Sequence, residues 1–208
     1  MKTSHAILAC DSVARNCANG TQTQHRVPVR APQSALDAWE IDSINKAYDI
    51  LEPADGLSEW GFLVAGDQGI LGLKHPYGVP GHTMFVREAV RAEARDNRLV
   101  FHYRANGGLV DLDDMDFAAE YPDWNKACRY GGLLSDRWIP NIHMPEALAR
   151  TVRTIKRTWV ERMMQISSED VFAEGFDTTC EYYNLMESLY PGCLKGDWYM
   201  WCVEWEKE

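Results

Sequence analysis

Residues Thr151 to Met163, TVRTIKRTWVERM, are the stretch that most constrains the fold. Period alone leaves them undecided, because helical and strand templates match about equally. Composition tips the balance. Thr151, Val152, Thr154, Ile155, Thr158 and Val160 are β-branched, which suits a pleated surface better than a helix. The residues that follow are punctuated more clearly. Ser167 or Ser168 caps a short helix through Ala173, with Glu169 and Asp170 suited to its positive dipole end and Gly175 as the stop. Thr178 to Tyr190 has the spacing of a second amphipathic helix, closed by Pro191-Gly192, and Trp198 to Glu206, WYMWCVEWE, alternates as a terminal strand.

Upstream, His5 to Ala9 reads as a first strand. Asp11 and Ser12 are good N-caps for a short helix over Val13 to Ala18, and Gly20 sits where a helix-ending glycine belongs. Val27 to Val29, interrupted by Pro28, reads as extended and edge-like. Ala35 to Leu51 has helix-like apolar spacing. From Trp60, WGFLVAGDQGILGL reads as a hairpin turning at Gly66-Asp67-Gln68-Gly69. Thr83 to Val90 and residues 98–106 read as further strands, and residues 107–136 as a long elaborated loop. Many strands with a few short helices imply an α+β domain or a small barrel. At 208 residues, 46% hydrophobic and with eight tryptophans, the chain suits one domain with a packed core.

Charge and motifs narrow the chemistry. A formal net charge of −10 repels a long phosphate backbone, which disfavours non-specific duplex binding and leaves room for a pocket that takes one base or nucleoside. The apolar run Ala6-Ile7-Leu8-Ala9 is too short for a signal-peptide core and no later run approaches a membrane span, so the expectation is a cytoplasmic protein with no membrane partner. Six cysteines without a C-x-x-C pair read as free thiols. The acidic run Asp111, Asp113, Asp114, Asp116 lacks the glycine and glutamate of a calcium loop, and His75, His82, His102 and His143 lack metal-ligand spacing. Neither a metal nor a cofactor is expected.

What remains is a set of polar groups at strand ends. In ANGTQTQHR, Thr21 and Thr23 lie one residue apart, so in an extended segment both hydroxyls face the same way and can read a base edge or hold a phosphate. Turn chemistry after the helix is the plain alternative. Tyr103 offers a ring for a base to stack on, while Arg104 or Arg87 neutralises a carboxylate or phosphate. For Arg87 and Glu88 an internal Arg–Glu pair is the competing reading. Glu174 suits a general acid or base, against the ordinary role of an exposed helix-end carboxylate.

Taken together, these segments resemble the ASCH family of PUA-like proteins, and phage and prophage members in particular. VARNCANGTQTQHRV is similar to the family's N-terminal helix followed by G-R-K-T-x-T-x-R, and PYGVPGHTMFVREA to P-Y-G-x-P-G-D-x-L-W-V-R-E. YRAN resembles Y-R-A-D. WIPNIHMPEALAR and VERMMQISSEDVFAEGF resemble W-x-P-S-I-H-M-P-x-x-A-S-R and V-E-R-L-Q-x-I-S-E-E-D-A-x-A-E-G. The C-terminal LMESLYPGCLKGDWYMWCVEWE is similar to L-W-x-S-I-Y-G and W-V-W-V-I-E-F. The similarity runs in order over about two-thirds of the chain.

The resemblance implies a single α+β domain over residues 1–208, with insertions at about 33–75 and 107–136. Its centre would be a small PUA-like β-barrel with flanking short helices, elaborated loops and a cleft between barrel and helices. It makes residues 151–163 a strand. Relatives of this type bind RNA or modified bases, and small members hydrolyse acylated cytidine with a lysine, a threonine and a glutamate. Carried over by position, the threonine is Thr23 and the glutamate Glu174, whereas Gly20 stands where the lysine would be. Gly20 offers no nucleophile, base or cation, which shifts the expectation from catalyst to binder unless His25 or Arg26 substitutes. The expected ligand is a nucleoside, a modified base or short single-stranded nucleic acid. It would be held by Thr21, His25, Arg26, Arg87, Glu88, Tyr103 and Arg104, with Thr23 and Glu174 as the candidate catalytic pair. A hydrolase of acylated or modified cytidine is the second reading. The third is a phage factor that engages a host protein through the acidic segment Asp111 to Glu120 and Tyr121, Trp124 and Tyr130.

Overall fold

The computed structural model describes residues 4–29, 61–66, 69–95, 98–112 and 138–206. The helix expected over residues 35–51 and most of the acidic loop, residues 113–137, lie outside them. The fold is α+β, with ten strands and three α-helices among the described residues. In order these are β1 (Ser4–Leu8), α1 (Asp11–Ala18), β2 (Gln24–Pro28), β3 (Gly61–Gly66), β4 (Gly69–Lys74), β5 (Thr83–Arg87), β6 (Val90–Arg95) and β7 (Arg98–Tyr103). Then come β8 (Leu109–Leu112), β9 (Val152–Arg162), α2 (Ser168–Ala173), α3 (Thr179–Leu189) and β10 (Tyr199–Trp205). Among the described residues no sheet closes into a barrel, and no helix is long and apolar enough to cross a membrane.

The chain divides into two compact units. One comprises Met1–His5, Thr21–Thr83 and Arg153–Glu208, and the other Ala6–Gly20 and Met84–Val152. In the first unit β9, β10 and β2 pair antiparallel, and β2 lies at an edge as the proline in its sequence demands. Cα partners across antiparallel strands present their side chains to the same side. One face therefore carries Arg26, Cys202 and Trp159 in a row, flanked by Gln24, Glu204 and Arg157 on one side and by Met200 and Glu161 on the other. The opposite face carries His25, Val203 and Thr158, next to Val27, Trp201 and Val160. Lys156 is the extra residue of a bulge opposite Glu204 and Trp205, which accounts for two adjacent exposed positions, Lys156 and Arg157, in this strand.

The two C-terminal helices pack on the Arg26 face. Val171 of α2 and Tyr182 and Met186 of α3 form one core with Met163, Cys193, Met200 and Cys202. Both helices start as read from sequence, with Ser167 and Thr178 accepting from the backbone N–H of Asp170 and Glu181. On the other face His75 and Tyr77 cover the sheet. The His75 ring meets Trp201 edge-on at 5.0 Å, and Tyr77 lies 5.9 Å from His25. Strands β3 and β4 form the expected hairpin, with Gly66 opposite Gly69.

In the second unit β6, β7 and β8 form an antiparallel sheet, and β1 runs beside β5. Val90, Ala92, Phe101, Tyr103, Ile139, Met144 and Leu148 make its core. Three expectations are corrected here. The strand expected over Thr83 to Val90 breaks at Glu88-Ala89 into β5 and β6, because Glu88 turns inward to an ion pair rather than continuing the alternation. Residues 109–112, read as loop, pair with β7. Helix α1 begins at Asp11, with Cys10 at the cap position and no side-chain cap, because the Asp11 carboxylate is engaged by Arg104 at 2.8 Å.

Candidate functional site

A strand that alternates faces sorts the opening motif into two sets. Gln22, Gln24 and Arg26 share one side and are buried, whereas Thr21 is exposed and Thr23 half-buried. Arg26, only 1% exposed, is the hub. Its Nε donates to Glu161 Oε1 at 2.7 Å and its Nη1 to Glu174 Oε1 and Gln24 Oε1, both at 2.9 Å. Its Nη2 stands 3.5 Å from Asp170 Oδ2 and makes no hydrogen bond. Trp159 lies 5.5 Å from the guanidinium and donates its indole N–H to Glu161 Oε2 at 2.8 Å.

Helix α2 supplies the remaining carboxylates. Asp170 and Glu174 are four residues apart, so they project from the same side of the helix and its C-terminal cap. Backbone bonding fixes that cap beside the motif, because Thr23 N–H donates to Ala173 O at 2.7 Å and Thr23 O accepts from Trp205 N–H at 3.0 Å. Glu174, read as an exposed helix-end carboxylate in its ordinary role, is 2% exposed. The cause is this strand-to-cap bonding, which draws the helix end onto the sheet.

Gln22 Nε2 donates to Gln24 O at 2.7 Å and to Glu174 Oε2 at 3.2 Å. Both partners are acceptors, so the amide nitrogen faces them and Oε1 points away, buried and without a partner. Tyr182, also 1% exposed, has no partner for its hydroxyl. Three polar atoms of one buried cluster, Gln22 Oε1, Arg26 Nη2 and Tyr182 Oη, thus keep unused bonding capacity.

Electrostatics follow from burial. Desolvation pushes the Glu174 carboxyl up to about 7; the Arg26 charge and hydrogen bond oppose it, while Glu161 and Asp170 reinforce it. For Asp170 burial acts upward too, but hydrogen bonds from Gln24 and Ser167 and the Arg26 charge bring it below its ordinary value. His25, with Nδ1 3.9 Å from Glu174 Oε2, is held down to about 4 by burial and then by Arg26. It is neutral at physiological pH and forms no ion pair there. Burial, then Glu174, raises the Tyr182 phenol, and burial raises the Cys202 thiol, so both stay protonated.

The other sequence candidates belong to the second unit and are occupied within it. Glu88 pairs with Arg150 and not with its neighbour Arg87, through two bonds of 2.7 Å. In β-like backbone adjacent side chains diverge, which separates Arg87 from Glu88. Arg87 donates to Ile142 O at 3.2 Å, lies over the Phe85 ring, and leaves Nε buried without a partner. The Tyr103 ring, expected to stack on a base, is buried, covered by the Arg150 guanidinium at 4.4 Å and tied to Leu148 O at 2.6 Å. Arg104 binds Asp11 through bonds of 3.0 and 2.8 Å.

Gly20 closes α1 at φ +70°, donating to Cys17 O at 3.2 Å, and open space surrounds the position a Cβ would take. Sequence reasoning missed Gln22, Gln24, Glu161, Asp170 and Tyr182. The polar alternation Gln22, Gln24, Arg26 was the available signal, because glutamines flanking an arginine on one side of a strand need partners if that side is buried. Among the described residues no group of three or more His, Cys, Asp or Glu side chains is placed to hold a metal ion. No family model matches the chain, and no curated protein and no solved structure matches it either.

Proposed function

We propose that the chain is a nucleobase- or nucleoside-binding module of PUA-like architecture, whose recognition end is the cluster of Gln22, Gln24, Arg26, Glu174 and Tyr182. Thr21 and Thr23 stand at its margin. The observation that carries this reading is the unmet hydrogen-bonding capacity of Gln22 Oε1, Arg26 Nη2 and Tyr182 Oη in one buried cluster. An acceptor, a charged donor and a hydroxyl suit the mixed edge of a nucleobase and have no use in a purely structural core. Helix α2 is six residues long and supplies Asp170, with Glu174 at its cap, while Ser168, Glu169 and Phe172 are turned outward and exposed. The net charge of −10 favours a nucleoside or short single strand over a duplex. The protein acts in the cytoplasm, that of the host if it is phage-encoded. Calorimetric titration with the four nucleosides and short single-stranded oligonucleotides tests the reading. At least one binds the wild type in the micromolar range, about 8 kcal/mol, and Gln22→Ala weakens it. Absence of binding by all of them to the folded protein refutes the proposal.

A second reading rests on a different observation. Glu174 titrates near neutrality, where a general acid–base is most useful, and Thr23 is tied to the residue before it. In a hydrolase of acylated cytidine, Glu174 takes a proton from the Thr23 hydroxyl or from water as that oxygen attacks the acyl carbon. It then gives the proton to the departing N4 amine; where Thr23 is the attacking group, Glu174 next takes a proton from water, which cleaves the acyl-threonine ester, releases the acid and returns the hydroxyl to Thr23. Cytidine release from an acylcytidine, abolished in Glu174→Ala, supports this reading, and unchanged release in that variant eliminates it.

A further inference from the structure

The carboxylates around Arg26 outnumber its charge, and that imbalance selects among ligands. Glu161, Asp170 and Glu174 stand 2.7, 3.5 and 2.9 Å from one guanidinium. His25 adds no positive charge, being buried and neutral. Arg26 Nε and Nη1 donate to Glu161, Glu174 and Gln24, while its Nη2, 3.5 Å from Asp170 Oδ2, makes no hydrogen bond. The amide N–H groups of Gln22 are committed to Gln24 and Glu174, which leaves its buried Oε1 as an open acceptor. Tyr182 Oη accepts or donates as required. What the cluster lacks is therefore one positive charge and a donor for Gln22 Oε1.

Resting on the nucleobase reading above, we infer that the base recognised here is one made cationic by alkylation of a ring nitrogen, its charge facing Glu174 and its amino group donating to Gln22 Oε1. A neutral base offers the donors without the charge, and a phosphate meets surplus negative charge. A cationic base supplies both missing elements while remaining flat and compact. Glu174 holds a proton in the free protein below about pH 7 because burial disfavours its charge. The incoming cation takes that proton's place, and the proton leaves to solvent.

The test compares 3-methylcytidine with cytidine in calorimetric titrations at about pH 6 and about pH 7.5, each in two buffers of different ionisation enthalpy. The methylated nucleoside binds at least about tenfold tighter, the worth of one charge-assisted contact. At the lower pH its binding releases close to one proton, and its affinity rises with pH as Glu174 ionises. In Glu174→Gln the preference collapses towards unity. Cytidine binding as tightly as its methylated form, or methylated binding without proton release, overturns the inference and leaves the nucleobase reading standing. No binding by either nucleoside, or by any other, overturns both. If Glu174→Gln does not fold, the proton count on the wild type decides alone.

Discussion

Each unit of the chain buries an arginine–carboxylate cluster, and the two are built differently. In the second unit one guanidinium meets one carboxylate. Arg150 grips both oxygens of Glu88, gives its remaining Nη1 to Asn106 Oδ1 at 2.7 Å, and lies flat on Tyr103. The Tyr103 hydroxyl is satisfied by Leu148 O. In the first unit one guanidinium meets three carboxylates, three polar atoms stay unpaired, and one carboxyl is pushed towards neutrality. A balanced, saturated cluster fixes a fold. An unbalanced one with spare bonding capacity is costly to the fold, a cost that the proposed ligand would offset.

The largest effect tests the saturated side. Arg150→Met keeps the apolar stem but leaves Glu88, 1% exposed, as a buried charge without its partner. The expected loss is about 3–5 kcal/mol in urea unfolding. A loss below about 1 kcal/mol would show that the pair is not a lock.

Next comes the unbalanced side, where the sign reverses with pH. The Glu174 carboxyl binds its proton more tightly folded, near 7, than unfolded, near 4.5, so its contribution declines as pH rises through that interval. His25 and His75 are both depressed to about 4 from 6.5, chiefly by burial, so they lose stability in the opposite direction, as pH falls below 6.5. Wild-type stability therefore peaks slightly below neutrality. Glu174→Gln removes only the alkaline decline. Relative to wild type it gains on the order of 3 kcal/mol between about pH 4.5 and about pH 8. A pH-independent difference between the two proteins would contradict the burial argument for Glu174.

A matched pair of tyrosines sharpens the contrast at a smaller scale. Tyr103 and Tyr182 are equally buried, but only the first has a hydrogen-bond partner for its hydroxyl. Tyr103→Phe strands the Leu148 carbonyl and costs about 1–2 kcal/mol, whereas Tyr182→Phe stays within about 0.5 kcal/mol of wild type. Equal costs would place a partner on Tyr182 and make the first cluster as finished as the second.

The sequence made some of this contrast legible. Strand β9 and helices α2 and α3 followed from β-branched content, a serine cap and amphipathic spacing closed by Pro191-Gly192, because those signals are local. Thr23, Glu174 and Arg26 were singled out, and one cluster does join Arg26 to Glu174 beside the Thr23 backbone. The partner of Glu88 was not legible, since Arg150 lies 62 residues away and nothing local names it. Nor was the burial of Glu174, which depends on a backbone bond from a distant strand end. The alternation sets Gln22 and Gln24 on the side opposite the two threonine hydroxyls, but which side is buried depends on helix α2, far along the chain.

Gly20 remains to be assigned to fold or to function, and a modest predicted effect does so. At φ +70° with nothing within 4 Å of a built Cβ, a side chain there meets backbone strain and no clash. Gly20→Lys therefore costs about 1–2 kcal/mol and Gly20→Asn less, since asparagine tolerates the left-handed region better. The lysine variant is then assayed for acylcytidine hydrolysis. If stability falls as expected and no hydrolysis appears, Gly20 is a helix cap, and a lysine at that position does not complete a hydrolase. If hydrolysis appears or rises, the glycine is the residue that silences an otherwise assembled Thr23–Glu174 pair.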